Sequence, residues 1–359
     1  MLIFDAHLDL AMNAIEWNRD LCQPLESIRA AEAHLKDKPD RTRSTVSFPE
    51  LRKAGVGICV ATQIARIKHG QFSPVAGWNS QAQAWAMTQA QLAWYQAMEE
   101  AGELIAIRSR NDLDKQLIRF EEAQSSGKHH WPIGYILSLE GADSLITLQH
   151  LERAYEYGLR AIGPAHYGPG VYANGTDSSG GLTSRGRELI QEIQRLGMIL
   201  DATHLCDDSF WEAMSLYDGP VWGSHQNCRH LVDHNRQWSD DQIKEIVKRG
   251  GILGAVFDAW MITPGWKRGQ TTPEAAGVTL SRLVEHIDRV CQIAGNTLHA
   301  GIGSDLDGAF GNEQTPQEIK SIANLPQIFD CLRNRGYRDQ EIQQIAHGNF
   351  LRFARAHLP

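Results

Sequence analysis

Short apolar, β-branched runs recur along the chain, each bounded by glycine or proline and each giving way to polar residues. Eight stand out: LIFDAH, VGICVATQ, IGYILSLEG, LRAIGPAH, GMILDATH, PVWGSH, GGILGAVFD and HAGIGSDLDG. Between most of them the apolar positions take the three- and four-residue spacing of an amphipathic helix. GRELIQEIQRLG precedes the fifth run, DDSFWEAMSLYDG the sixth, SDDQIKEIVKRGG the seventh and TLSRLVEHIDRVCQIAG the eighth. Ser239, followed by Asp240 and Asp241, punctuates one helix start, and Gly250 marks that helix's end.

Buried-type strands alternating with helices predict an α/β fold with a parallel sheet. Eight repeats predict the closed (β/α)8 TIM barrel, with DQEIQQIAHGNFLRFARAHL as the helix that closes the ring; a doubly wound open sheet is the competing arrangement. LIAIRS, near residues 104–109, is a candidate ninth strand inside an excursion at about 65–132 that also holds a long helix, SQAQAWAMTQAQLAWYQAMEEAG. Residues 1–359 then form one barrel domain with that insertion. The charged stretch EAHLKDKPDRTR reads as a solvated insertion after the first strand.

The polar residues at the ends of the runs change the picture. His7 and Asp9 end the first, Glu140 the third, His166 the fourth, His204 the fifth, His225 the sixth, and Asp305 and Asp307 the eighth. In a barrel these ends open on one mouth, where such enzymes keep their active sites. A single histidine at a strand end is more often a satisfied, partly buried side chain than a ligand. Several imidazoles and carboxylates packed together are another matter, because desolvating them is costly without a cation. Neutral imidazole and carboxylate oxygen suit Zn²⁺, with Mn²⁺, Co²⁺ and Fe²⁺ open by affinity. The candidates outnumber the three protein ligands of one tetrahedral catalytic zinc, so two metals bridged by a carboxylate fit better.

Composition narrows the partners. A formal charge of -8 and a pI near 6.0 leave no basic face for nucleic acid, which favours a small-molecule or peptide substrate. The chain shows no basic segment leading into an apolar h-region and no run of about 18 apolar residues, so a soluble, cytoplasmic protein without membrane contact is expected. The six cysteines lack CxxC spacing and read as buried thiols. His129 and His130 in GKHHWP read as a solvated loop pair, and the GIG of HAGIGSDLDG lacks the spacing of a dinucleotide fingerprint.

DAHLD, SLEGADS, GPAHYGPGVYANG, LDATHLCDDSF, WGSHQNCRHLVDHNRQWSDD, GIGSDLDG and HGNFLR resemble, in order and over nearly the full chain, the motifs of the membrane dipeptidase (renal dipeptidase) family. The resemblance implies a barrel of the metal-dependent amidohydrolase type with two Zn²⁺ per chain. On that pattern His7 and Asp9 hold one zinc, His204 and His225 the other, and Glu140 bridges them. His166 matches the family's carbonyl-polarising histidine, Asp305 its proton-transferring carboxylate and Arg236 the arginine that binds the substrate's terminal carboxylate. It implies a zinc dipeptidase acting through a metal-bridging hydroxide, with a C-terminal D-residue as one substrate option, and a homodimer.

Tyr172 and Asn174, in the glycine-rich HYGPGVYANGTDSSGG loop, are substrate-contact candidates. Departures from the family's Gly-His-Asn at Ala6, His7 and Leu8, and from Gly-His at Ala142 and Asp143, are expected to alter the polarity of the mouth. The same centre could serve N-acyl amino acids or lactams. A barrel with a degenerate, non-catalytic site would have lost ligands, and none is missing. A sugar isomerase would be expected to place a catalytic lysine at a strand end, and no strand ends in one.

Overall fold

The computed structural model describes residues 1–68, 77–128 and 130–359. Nine parallel strands occur among them: β1 (Ile3–Leu8), β2 (Val56–Ile64), β3 (Leu104–Ala106), β4 (Ile133–Glu140), β5 (Leu159–Gly163), β6 (Ile199–Asp201), β7 (Val221–Trp222), β8 (Leu253–Ala255) and β9 (Ala300–Ile302). Eight follow the order β7-β6-β5-β4-β2-β1-β9-β8. A parallel bridge from Gly223 to Leu253 joins the two ends, with Gly223 N donating to Ile252 O at 2.9 Å and Gly254 N to Gly223 O at 2.8 Å. This contact closes the sheet and selects the barrel over the open alternative.

The ninth strand lies in the excursion. β3 pairs with Ile133–Tyr135 of β4, while β5 pairs with the later stretch Leu137–Glu140. The long helix of the excursion, Gln81–Glu100, starts where the Ser80 side chain accepts from Gln83 N, and its Tyr95 hydroxyl donates to Thr62 O at 2.7 Å on β2.

Helices Ser184–Arg195, Asp207–Leu216, Asp240–Lys248 and Leu280–Ala294 fill the predicted gaps. Ser239 forms a capping box with Gln242, and Gly250 takes a φ of 73° just past that helix's end.

Alternation divides the strands between two cores. Phe4, Ile58, Val60, Ile136, Ala161, Ile199 and Trp222 fill the barrel, plugged from below by Phe350 and Phe353 of the C-terminal helix Asn349–His357. Ile3, Cys59, Leu137, Leu139 and Leu200 face the surrounding helices.

β1 breaks its own alternation. Asp5 pairs with Cys59 but Leu8 pairs with Ala61, so three steps on β1 match two on β2. Without this bulge Leu8 would share the inner face of Phe4 and Ala6; instead it packs in the outer core, fully buried, and His7 turns to the mouth. Leu8 therefore does not alter the polarity of the mouth.

The charged stretch after β1 is solvated only in part: His34, Lys36, Asp37 and Arg43 are exposed. Glu32, Asp40 and Arg41 are buried in a network with Arg19, whose Nε lies 2.8 Å from Glu32 Oε1 and whose Nη2 lies 3.0 Å from Asp40 Oδ2. Charge periodicity alone cannot distinguish a solvated run from one whose counter-charges arrive from elsewhere in the chain.

Candidate metal centre

Glu140, the last residue of β4, stands between two groups of donors. Its Oε1 is 3.1 Å from His204 Nε2 and 3.3 Å from His225 Nε2, and its Oε2 is 3.7 Å from His7 Nε2. Asp9 Oδ1 and Asp305 Oδ1 lie 3.8 and 3.7 Å from the same His7 nitrogen. Three overlapping sets could each hold an ion: His7 with Asp9 and Glu140, Glu140 with His204 and His225, and His7 with His225 and Asp305.

Hydroxyls behind the rings fix which nitrogen faces inward. Thr176 Oγ1 is 2.9 Å from His204 Nδ1, and Ser224 Oγ is 2.9 Å from His225 Nδ1 and 3.4 Å from His7 Nδ1. With Nδ1 engaged, each Nε2 presents its lone pair to the centre. Thr62 Oγ1 donates to Asp9 Oδ1.

Two buried aspartates clamp the loops that carry these ligands. Asp5 Oδ1 accepts Ser304 N at 2.8 Å and His7 N at 3.3 Å; Asp201 Oδ1 accepts Thr203 N at 3.1 Å and Ser224 N at 3.2 Å. Beneath them Gly303 leaves room that no side chain could share, since a Cβ there would lie 1.8 Å from Ser224 O. His204 and Asp305 hold φ values of 68° and 58°, a region uncommon for L-residues that Asp and His enter more readily than most.

The electrostatics call for a cation. Burial keeps His166, His204 and His225 well below the ordinary imidazole range, with nearby cationic groups acting in the same direction. Burial also lifts Glu140 and Asp305 above the carboxylate range, an effect opposed by His7. At His7 burial disfavours the charged ring, but Glu140, Asp9 and Asp305 outweigh it and raise the pKa to about 10. Yet among the described residues His7 Nε2, fully enclosed, has no hydrogen-bond partner. An orphaned nitrogen amid three carboxylate-bearing residues and two more imidazoles fits a divalent ion, and the imidazole–carboxylate donor set fits zinc among others.

A pocket opens over the cluster, lined by Asp9, Glu140, His166, His204, His225, Arg236 and Asp305 among others. Arg236 is buried, donating from Nη1 to Gln226 Oε1 at 2.7 Å and from Nη2 to His225 O at 2.9 Å. No carboxylate among the described residues lies within 4 Å of it.

Tyr172 and Asn174 do not line this pocket. The Tyr172 hydroxyl donates to Leu145 O at 2.6 Å, tying the loop to the turn after β4, and Asn174 Nδ2 donates to Gly181 O at 2.9 Å, bracing it from within. Tyr167 from the same loop reaches the lining instead. Asp143 accepts the N–H groups of Ile67 and Val171 and does not line the pocket, and Asp307 turns away to accept from Thr45 and Val46. His129 lies outside the described residues; His130 is exposed, 3.4 Å from Glu103.

The sequence reading passed over Asp5, Asp201, Thr176, Ser224, Tyr167 and Asp258. Asp258 ends the quoted run GGILGAVFD and so carried the same strand-end signal as the residues that were chosen.

A closed eight-stranded α/β barrel whose mouth gathers imidazoles around a shared carboxylate has the donor set of a metal-binding barrel protein. The chain belongs to the membrane dipeptidase family, peptidase family M19, whose family profile matches residues 1–357. It is 30% identical over 225 residues to an uncharacterized dipeptidase of Schizosaccharomyces pombe, a match covering 61% of this chain and 52% of that protein. The chain thus spans about half the length of that relative.

The fold is shared with a solved dipeptidase, a metallopeptidase of family M19, at a TM-score of 0.77 and 21% identity, over 100% of this chain and 99% of the other. It is shared too with a metallopeptidase from Rhodobacter sphaeroides solved with a phosphinate mimic of the dipeptide L-Ala-D-Ala (TM-score 0.75, 20% identity, 100% and 99% covered). Family membership implies metal ions. Among the described residues no helix is long and apolar enough to cross a membrane.

Proposed function

We propose that the protein is a zinc-dependent dipeptidase, hydrolysing the amide bond of dipeptides whose C-terminal residue is L or D. The observation that carries this reading is the placement of Glu140 between two imidazole groups, in a pocket whose wall holds a buried arginine with no carboxylate partner among the described residues. In this reading His7 and Asp9 hold one ion, His204 and His225 a second, and Glu140 both. Two zinc ions would supply Lewis acidity and a bridging water that ionises to hydroxide near neutral pH.

The chain's own residues do the rest. Arg236 grips the substrate's terminal carboxylate through paired hydrogen bonds, which fixes orientation as well as binding. His166, kept neutral by burial, offers an N–H to the scissile carbonyl oxygen, where such a donor is worth roughly 10²- to 10³-fold in rate. Asp305 takes a proton from the attacking water and passes it to the leaving amine. Tyr172 and Asn174 shape the loop that carries Tyr167.

One barrel domain with an excursion at about 65–132 goes with this reading. On the family resemblance alone we add a homodimer, which sedimentation of the purified chain tests. The R. sphaeroides structure, with its L-Ala-D-Ala mimic, supports including a C-terminal D-residue. The alternative keeps the centre and changes the substrate to an N-acyl amino acid or lactam. Assaying zinc-loaded protein on L,L and L,D dipeptides beside N-acyl amino acids separates the two. Cleavage of dipeptides is expected; activity confined to the N-acyl compounds would overturn the proposal.

A further inference from the structure

Asp258 follows β8 and heads the short helix Ala259–Ile262, where the Trp260 backbone N–H and side chain approach its carboxyl. It lines the same pocket as Arg236 and Asp305 and is 7% exposed. Its Oδ1 accepts Gln314 Nε2 at 2.8 Å, and Gln314 is itself buried, with its Oε1 3.2 Å from Trp266 Nε1. A buried neutral amide thus holds the carboxylate in place without discharging it.

The other buried carboxylates outside the metal cluster are compensated. Glu32 and Asp40 pair with Arg19, Asp307 faces Arg19 and accepts two backbone N–H groups, and Asp5 and Asp201 each accept two as well. Asp258 differs in lining the substrate pocket: its donors, Gln314 and the N–H groups of Trp260, are neutral, and among the described residues no Lys, Arg or His nitrogen lies within 4 Å. The nearest counter-charge is Arg268, exposed on the pocket's rim. Burial pushes the Asp258 carboxyl up to about 6, so at pH 7 it is still largely ionised. A buried anion with no cation in contact with it is costly, and no step proposed above uses it.

We propose that Asp258 is a specificity-determining residue that pairs with a positive charge on the substrate. The inference rests on the dipeptidase reading. With the terminal carboxylate at Arg236 and the scissile carbonyl over Glu140, the cation is either the free α-ammonium or a basic side chain.

Two pairs of compounds distinguish these sources: glycyl-alanine against acetyl-alanine, which differ only by the ammonium, and lysyl-alanine against norleucyl-alanine, which differ in side-chain charge. We expect the wild type to favour the charged member of one pair by roughly 10- to 100-fold in kcat/KM, the worth of a partly buried charged hydrogen bond. In Asp258→Asn that ratio falls to near one. Asp258→Ser makes the same measurement should the asparagine variant not fold.

Equal rates within both pairs in the wild type, or a ratio unchanged in the variant, would overturn the inference while leaving dipeptide cleavage standing. Failure of the wild type on all three dipeptides would instead overturn the dipeptidase reading, and this inference with it.

Discussion

Thr176 Oγ1 lies 2.9 Å from Nδ1 of His204, on the far side of the ring from the Nε2 that faces Glu140. A hydroxyl there sets the tautomer and stops the ring from turning. Outer partners of this kind are typically worth roughly 10- to 100-fold in metal affinity. Thr176→Val should therefore weaken zinc binding by about that factor in a chelator competition, and Thr176→Ser should restore most of it. Equal affinity in all three proteins would mean that the hydroxyl is a bystander.

Asp5 tests how the ligand loops are held. Its carboxylate accepts two backbone N–H groups and the Ser304 hydroxyl, all buried. Asp5→Ala strands these donors and should cost ~2–4 kcal/mol in chelated protein, read from the shift in urea midpoint. A change below half a kcal/mol would show that the loops are held by something else.

Arg236 is already fixed by Gln226 and the His225 carbonyl, so its remaining donors need no reorganisation to meet a carboxylate. Truncating one partner of such a buried pair costs several kcal/mol. Arg236→Met should lower kcat/KM on dipeptides by roughly 100-fold or more, and Arg236→Lys should recover little of it because an ammonium cannot make the paired contact. Full activity in the lysine variant would contradict the carboxylate-anchor role.

Away from the metal centre, His286 makes stability depend on pH. Its Nδ1 accepts Cys228 N at 3.1 Å, and burial lowers its pKa from 6.5 to about 4. The folded state then binds fewer protons than the unfolded one. The contribution is complete above pH 6.5 and is lost as pH falls from 6.5 through 4, amounting to about 3 kcal/mol. Chemical denaturation between pH 7 and 4 should show that decline in wild type and a shallower one in His286→Gln. Parallel curves would contradict the assignment.

Much of the barrel could be read from the chain because each strand is a compact apolar run between glycines. The observed strands β6, β7, β8 and β9 are nonetheless only two or three residues long, as the runs continue into loops carrying His204, His225, Asp258 and Asp305. His7, Glu140 and His225 meet although they are far apart in sequence, and the strand-end pattern pointed to all three. What escaped was relational. Thr176 and Ser224 are ordinary hydroxyls until the fold sets them behind imidazoles. The bulge in β1 depends on its register with β2, which no single segment encodes. The buried network around Arg19 draws its partners from residues that look solvent-facing in isolation.

The central claim is that Glu140 is shared by two cations. Anomalous scattering at the zinc edge from crystals of the zinc-loaded protein tests it most directly. Two peaks roughly 3.5–4 Å apart are predicted, one beside His7, Asp9 and Glu140 Oε2 and the other beside His204, His225 and Glu140 Oε1. A single peak, or peaks remote from Glu140, would contradict it.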